Sequence, residues 1–287
     1  MKSLLTFLLL VAGSFHAAAA PLKVLIVDGQ NNHAWAQTTP ELKAILEENG
    51  LATVEVATSP AKGQELSAFE PNFFAYQVVL SNYNGALWSE KTRAEFEKYV
   101  SNGGGFVSVH AANNSFPEWK AYNEMIGVGG WGGRNEKSGP WLRFRNGKWI
   151  GDTAPGSGGH HGPQHQFLMV TRASEHPVMA GLPAKWLHSK DELYDRLRGP
   201  AQNVTVLASA FSDPAKGGSG EDEPLLFAIE YGKGRVFHTA LGHGLEAMKD
   251  VGFAATLRRG TEWAATGKVT QKVPTNFPTE AAVSPRP

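Results

Sequence analysis

The chain has 287 residues, of which 41% are hydrophobic, with 27 basic and 27 acidic side chains and no cysteine. This length buries a large core without disulfides, and the lack of cysteine excludes thiol nucleophiles, thiolate metal ligands and a lipid-attachment thiol. A neutral chain without a basic block has little electrostatic basis for binding nucleic acid or an anionic membrane surface.

The first twenty residues are typical of a secretory signal. Lys2 precedes an apolar run from Leu4 to Val11, which ends in four alanines before Pro21. These are the basic, hydrophobic and small-residue parts of a cleavable signal, so we expect cleavage near Ala20. The apolar run is too short to span a bilayer. The sequence therefore predicts an exported protein, periplasmic or secreted, with no membrane anchor after cleavage.

Strand and helix patterns alternate over the first hundred mature residues. Apolar runs predict strands at 22–28, 52–57, 77–80 and 106–109. The threonines before Pro40 predict the start of a helix that ends at Gly50, and a second helix is expected at 89–100. This alternation predicts an α/β fold with a mostly parallel central sheet and helices on both faces.

The regular pattern is interrupted between residues 116 and 163. A short helix pattern at 118–126 leads into a glycine-rich segment, and Asn146-Gly147 between alternating residues predicts a hairpin over 141–150. A second glycine-rich stretch covers 156–163. Long glycine-rich insertions in compact domains are more often functional than structural, so residues 127–163 form a candidate lid.

The remaining chain predicts strands at 166–171, 204–210, 225–230 and 235–241, then a helix at 251–265. We therefore divide the chain into a signal peptide at 1–20, one domain at 21–267 and a proline-containing, loosely held C-terminal tail at 268–287. Residues 127–132 match the spacing of a dinucleotide fingerprint but follow a helix pattern instead of a strand, so no nucleotide cofactor is expected.

Three histidines follow the ends of predicted strands: His33, His110 and His243. Carboxyl ends of parallel strands share one edge of a sheet, so these imidazoles could meet there and bind a metal or transfer protons. His165 could join them, and Glu192 is the acid that could complete the set. The alternative for each residue is a structural histidine or a surface carboxylate.

The other histidines and the tryptophans carry weaker signals. His188 and His238 follow ordinary strand or loop patterns and are predicted to be structural, while His160 and His161 lie in the glycine-rich loop, where they could be solvated. Tryptophans beside glycine or histidine offer flat faces for sugar rings, although core packing is the alternative for each of them.

Six segments in this order resemble the trehalose-utilisation (ThuA-like) family, and together they span most of the range 22–267. They are HAW (33–35), GGGFVSVHAA (103–112), IGVGGWGG (126–133), HPVMAGLP (176–183), DELY (191–194) and YGKGRVFHTALGH (231–243). The resemblance implies a flavodoxin-like, class I glutamine-amidotransferase-like three-layer sandwich. In amidotransferases the strand that corresponds to 106–109 leads to a cysteine nucleophile, and here His110 stands in that neighbourhood, so glutamine hydrolysis by thiol attack is excluded.

The resemblance also implies a role in disaccharide metabolism, including sugars oxidised to 3-keto glycosides. A ketone at C3 acidifies the C2 hydrogen, so a base and an electrophile suffice to break the glycosidic bond. We therefore predict a hydrolase or lyase that acts on a small carbohydrate. The expected site residues are catalytic His110, Glu192 and His243, metal ligands His110, His165 and His243, and substrate-binding His33, Trp35, Asn114, Trp131 and Tyr194.

Several alternatives stay open at this level. Zinc or manganese fits the available donors, but a metal-free His/Glu site fits almost as well. The chain could instead be a hydrolase for another polar metabolite, or a non-catalytic carbohydrate-binding or accessory protein. The sequence is compatible with a homo-oligomer.

Overall fold

The computed structural model describes residues 20–287, and the predicted signal segment, apart from Ala20, lies outside this range. In chain order, the first half contains β1 (Leu22–Asp28), α1 (Trp35–Glu47), β2 (Ala52–Thr58), β3 (Val78–Ser81), α2 (Glu90–Ser101), β4 (Gly105–Val109), α3 (Lys120–Ile126), β5 (Trp141–Arg145) and β6 (Lys148–Asp152). The second half contains β7 (His160–His161), β8 (His165–Thr171), β9 (Lys185–Asp191), β10 (Tyr194–Asp195), β11 (Val204–Phe211), β12 (Asp222–Tyr231), β13 (Gly234–Thr239), α4 (Leu245–Met248) and α5 (Val251–Thr266).

Nine of these strands form one mixed sheet in the order β2-β1-β3-β4-β13-β12-β11-β8-β9. The strands from β2 to β13 in this order are parallel, and the neighbours from β13 to β9 pair antiparallel. Helix α1 packs on β1 and β2, α5 on β4 and β13, and α3 on β12 and β13. The predicted α/β sandwich is confirmed, with the parallel arrangement confined to the first half of the sheet.

The inner parallel strands β1, β3 and β4 are buried because most of their residues are apolar on both faces, whereas the edge strand β2 is partly exposed. All five residues of β4 are buried, as are the last five of β1, which is the pattern expected where helices cover a parallel sheet. Helix α2 begins as predicted, with the Ser89 hydroxyl accepting from the Thr92 amide. Its apolar face, which includes Phe96 and Val100, is buried in the core.

Helix α1 begins earlier than the threonine and proline pattern predicts. It starts at Trp35, so Pro40 lies inside the helix. The hydroxyls of Thr38 and Thr39 do not cap the helix; each accepts a hydrogen bond of 3.0 Å from the Asn82 side chain. The two threonines that local sequence rules place at the helix start therefore make tertiary hydrogen bonds instead.

The C-terminal segment, predicted to be loosely held, packs against the domain. The Leu187 amide donates to the Thr279 carbonyl, and the Val251 amide donates to the Ser284 carbonyl. Arg286 forms an ion pair of 2.8 Å with Glu41. The backbone of this proline-containing segment is irregular, and several of its polar groups pair with the domain. Within residues 20–287, no helix combines the length and apolar character needed to cross a bilayer.

Candidate functional site

Three parallel strands bring three histidines to one edge of the sheet. His33 follows β1, His110 follows β4 and His243 follows β13. The His33 ring centre lies 4.8 Å from that of His110 and 4.5 Å from that of His243. The centres of the His110 and His243 rings are 5.6 Å apart. The strand directions alone therefore bring imidazoles from distant parts of the chain into contact.

Glu192 joins these histidines from the end of β9. Its Oε2 lies 3.0 Å from His243 Nδ1 and 3.4 Å from His110 Nε2. One potential ligand atom from each of four residues, His33, His110, Glu192 and His243, lies within 4.8 Å of the others. We call these four residues the His/Glu group.

The backbone fixes the orientation of His110. Its φ of 47° is in the left-handed region, which is uncommon for a residue other than glycine and clusters at functional sites. Its Nδ1 lies 2.8 Å from the Ala240 carbonyl, which can only accept, so Nδ1 carries the proton. The other ring nitrogen, Nε2, faces Glu192.

Three buried atoms of the His/Glu group have no hydrogen-bond partner among the described residues: His110 Nε2, Glu192 Oε2 and His243 Nδ1. The distances between them are short, but the geometry does not satisfy a hydrogen bond. Buried polar atoms are rarely left unpaired, and a metal-binding histidine typically donates its other N–H to a backbone carbonyl, as His110 does to Ala240. The arrangement therefore fits a cation between these atoms.

The electrostatics of the group favour an ionised Glu192 but also a protonated His243, whose proton a bound cation would have to displace. Burial alone would raise the pKa of Glu192, but its contacts with His110 and His243 outweigh burial and hold that pKa below its ordinary value. The neighbouring Glu192 carboxylate raises the pKa of His243. Burial, together with the charges of His110 and His243, lowers the pKa of His33 to about 4. At neutral pH the group thus offers an ionised carboxylate and a neutral His33, the forms that bind metals.

A cavity of about 360 Å³ opens onto the group. It has an aromatic wall, in which the Trp131 and Tyr194 rings lie 4.7 Å apart, and a wall of side-chain amides. The Tyr194 hydroxyl lies 3.3 Å from His33 Nε2, and its ring lies 4.2 Å from that of His110. The lining residues are Asn32, His33, Asn84, Asn114, Trp131, Gly132, His161, Glu192 and Tyr194.

Two of the predicted site residues lie elsewhere. Trp35 is the first residue of α1 and is not among the residues that line the cavity. His165 donates from Nδ1 to the Pro163 carbonyl at 2.8 Å and packs its ring against Phe167, so it is not a member of the His/Glu group. The structure brings the other predicted residues together. His33, which was predicted to bind substrate, belongs to the group of possible metal ligands, whereas His165 does not.

Four lining residues were not predicted from the sequence: Gly132 and three with polar side chains. His161 was assigned to a flexible loop, but it lies in β7, which pairs with β10. Asn32 and Asn84 donate and accept across the cavity rim, with Asn84 Nδ2 lying 2.6 Å from Asn32 Oδ1. Asn84 follows β3, another parallel strand, so the strand-end argument that found the histidines could also have found it.

This donor set, three imidazoles and one carboxylate, could hold a divalent metal ion. Histidine nitrogens and a carboxylate oxygen are ligands typical of zinc and of other first-row transition metals. The aromatic and amide walls suit a polar ligand that has both apolar faces and hydroxyl edges.

The sequence model of the ThuA family, described as trehalose utilisation, matches residues 23–264. The chain belongs to the ThuA family. The crystal structure of a ThuA-like protein from Parabacteroides merdae is similar to this chain, with a TM-score of 0.91 and 49% identity, over 93% of this chain and 98% of that one. A ThuA-like protein from Bacteroides uniformis shares the fold, with a TM-score of 0.61 and 21% identity, over 90% of this chain and 97% of that one. No curated protein matches the sequence significantly. Membership of the ThuA family indicates a carbohydrate-related role.

Proposed function

We propose that this ThuA-family protein is an exported hydrolase or lyase that cleaves 3-keto disaccharides or glycosides related to trehalose. The observation that carries the proposal is the set of three unpartnered atoms, His110 Nε2, Glu192 Oε2 and His243 Nδ1, that face one another beside the cavity. Such a set suits a divalent cation, zinc or manganese, beside a bound carbonyl group.

The cavity lining supports a neutral sugar as the ligand. The aromatic rings of Trp131 and Tyr194 offer apolar faces on which a sugar ring could pack. Asn32, Asn84 and Asn114 offer both donors and acceptors for hydroxyl groups. Among the described lining residues there is no lysine or arginine, which a phosphorylated or acidic sugar would require for recognition.

The chemistry follows from the acidity of C2 in a 3-keto glycoside. A base removes the C2 proton, and the electron pair delocalises onto the C3 ketone oxygen. That pair then expels the oxygen on C1, which leaves with a proton as the second sugar. The product is a 1,2-unsaturated 3-keto sugar, and addition of water across its double bond completes a net hydrolysis. A bound divalent cation would supply polarisation of the ketone oxygen.

Two residues of the chain are placed to move these protons. His161 Nδ1 donates to the Gly162 carbonyl at 2.8 Å, which leaves Nε2 as the acceptor on the cavity side. That nitrogen lies 3.7 Å from Glu192 Oε1. We assign proton removal at C2 to His161 or Glu192, and protonation of the leaving oxygen to the same pair.

The test is deuterium exchange at C2. Purified protein is incubated with a 3-keto disaccharide in D₂O, with and without a chelator, and C2 exchange and cleavage are followed by NMR. The proposal expects both exchange and cleavage, each reduced by the chelator and restored by zinc or manganese. Binding of the sugar by the wild type without exchange or cleavage would identify a carbohydrate-binding protein and contradict the enzymatic proposal.

A further inference from the structure

A fully buried carboxylate lies next to two members of the His/Glu group and has no role in the proposed chemistry. Asp191, the last residue of β9, accepts four hydrogen bonds. Its Oδ1 accepts from the amides of Glu192 at 2.8 Å and His243 at 3.0 Å. Its Oδ2 accepts from the Gly242 amide at 2.7 Å and from His188 Nε2 at 2.9 Å.

These bonds connect two parts of the fold that the sheet keeps apart. Glu192 follows β9, the edge strand, whereas His243 follows β13, and three strands lie between them in the sheet order. A single oxygen, Asp191 Oδ1, accepts from the backbone amides of both residues. Asp191 therefore sets the separation of the two backbones that carry Glu192 and His243.

Buried residues in β9 and at the start of α5 hold the Asp191 carboxylate in turn. His188 is fully buried and donates Nε2–H to Asp191, while its Nδ1 lies 3.8 Å from Asp250. Asp250 caps α5 by accepting from the Gly252 amide, and it accepts from the Ser189 hydroxyl at 2.8 Å. His188 thus links Asp191 to Asp250 Oδ1 at the start of α5, whereas Ser189 contacts the other oxygen of Asp250.

We propose that Asp191 is the positioning residue of the site, which aligns Glu192 with His243 so that a divalent cation can bind both. This inference rests on the proposed metal-binding role of the His/Glu group, but not on any sugar chemistry. Residues that orient ligands without touching the metal typically contribute 10-fold to 100-fold in metal affinity.

Replacement of Asp191 by asparagine keeps the shape of the side chain while removing its charge, so the distance between Glu192 and His243 is measured beside the metal affinity to separate lost alignment from lost charge. An amide group has one oxygen, and its NH₂ must replace either Oδ1 or Oδ2. In place of Oδ1 it would face the amides of Glu192 and His243, and in place of Oδ2 it would face the Gly242 amide. In either orientation at least one donor faces another donor, so the loops must separate.

The experiment compares zinc dissociation constants of the wild type, Asp191→Asn and the matched control Ser189→Ala, measured by competition with a chromophoric chelator. Ser189→Ala removes a buried hydrogen bond in the same region but none to the loops that carry the ligands. We expect zinc binding to weaken by about 10-fold to 100-fold in Asp191→Asn and by less than about 3-fold in Ser189→Ala. A loss below about 3-fold in Asp191→Asn would overturn the proposal.

Crystal structures of the same proteins give a readout that needs neither metal nor sugar. We expect the distance between Glu192 Oε2 and His243 Nδ1, 3.0 Å in the wild type, to increase in Asp191→Asn and to stay in Ser189→Ala. An unchanged distance in Asp191→Asn would overturn the proposal even if the wild type bound no zinc. If Asp191→Asn does not fold, His188→Leu provides the test, because leucine has no donor for Asp191; unchanged distance and affinity there would equally contradict the proposal. A protein that binds zinc but does not act on 3-keto sugars would refute the proposed function and leave this inference standing.

Discussion

His161 Nε2 lies 3.7 Å from Glu192 Oε1, the oxygen other than the one that faces His110 and His243. The carboxylate thus contacts the His/Glu group through one oxygen and a histidine of the cavity wall through the other. This geometry distinguishes two roles, cation binding and proton transfer, that the sequence alone could not assign to different histidines. Residues at the strand ends are suited to hold a cation, and His161 is suited to exchange protons with a substrate.

Replacement of His161 by alanine should reduce turnover without removing the metal site. We expect kcat to fall by about 10²-fold or more, since that is the usual contribution of a positioned acid or base, with little change in zinc affinity. Steady-state kinetics on a 3-keto disaccharide checks the expected loss of kcat, and a zinc titration checks the unchanged metal affinity. Equal losses in turnover and zinc affinity would show that His161 is a ligand and not a proton-transfer residue.

Replacement of Trp131 by alanine should mainly weaken substrate binding. Trp131 adopts a φ of 51°, and its backbone amide donates to the Gly158 carbonyl at 2.7 Å, which holds the ring in the cavity wall. Loss of an aromatic face should raise KM by about 10-fold and leave kcat within about 3-fold, because a packing contact is worth about 0.5–1.5 kcal/mol. Trp131→Phe serves as the control and should retain most of the affinity. A drop in kcat with unchanged KM would argue against a packing role.

Removal of the proposed cation should destabilise the fold measurably. A ligand present at 100 times its Kd stabilises the native state by about 2.7 kcal/mol, so dialysis against a chelator should lower Tm and zinc or manganese should restore it. The His110→Ala variant is the control, because it lacks a donor of the group and its Tm should not respond to the cation. Equal Tm shifts in the two proteins would place the cation elsewhere.

His238 should make the protein less stable in acid. Its Nδ1 donates to the Ile126 carbonyl at 2.9 Å, and its Nε2 accepts from the Asn113 side chain at 3.0 Å. Burial lowers the pKa of His238 from 6.5 to about 4, so the folded state binds fewer protons than the unfolded state in this range. Its contribution to stability is therefore complete above pH 6.5 and is lost as the pH falls toward 4, by about 3 kcal/mol at most.

The measurement is the free energy of unfolding in urea between pH 4 and 8, compared between the wild type and His238→Gln. The glutamine variant lacks the titrating group, so its stability should fall less steeply below pH 6.5. Parallel pH profiles of the two proteins would show that the pKa of His238 does not differ between the folded and unfolded states, which would contradict this prediction.

Much of the fold and part of the site could be predicted from residue patterns. Apolar runs gave the parallel strands, and the rule that ligands collect at their carboxyl ends singled out His33, His110 and His243. These patterns involve residues that are close together in the chain, so they can be recognised in a single sequence. The start of α1 was predicted too late because the Asn82 side chain, far away in the chain, uses Thr38 and Thr39.

The remaining errors arise where tertiary pairing determines position. His161 lies beside glycine and proline, a composition typical of loops, and only its pairing with Tyr194 in β10 brings it to the cavity. His165 was expected among the metal ligands because it precedes a strand, but it lies in β8, which pairs with the edge strand β9. The rule that ligands bind at strand ends applies to the carboxyl ends of parallel strands, so it does not predict where a side chain at the start of an antiparallel strand lies.

The most direct test of the account is the metal content of the purified protein and three variants, measured after equilibration with a small excess of zinc. We predict about one zinc per chain in the wild type and in His165→Ala, and a loss of bound zinc in His110→Ala and Glu192→Gln, because only the last two remove donors of the His/Glu group. Equal zinc content in all four proteins, or loss of zinc in His165→Ala alone, would contradict the account.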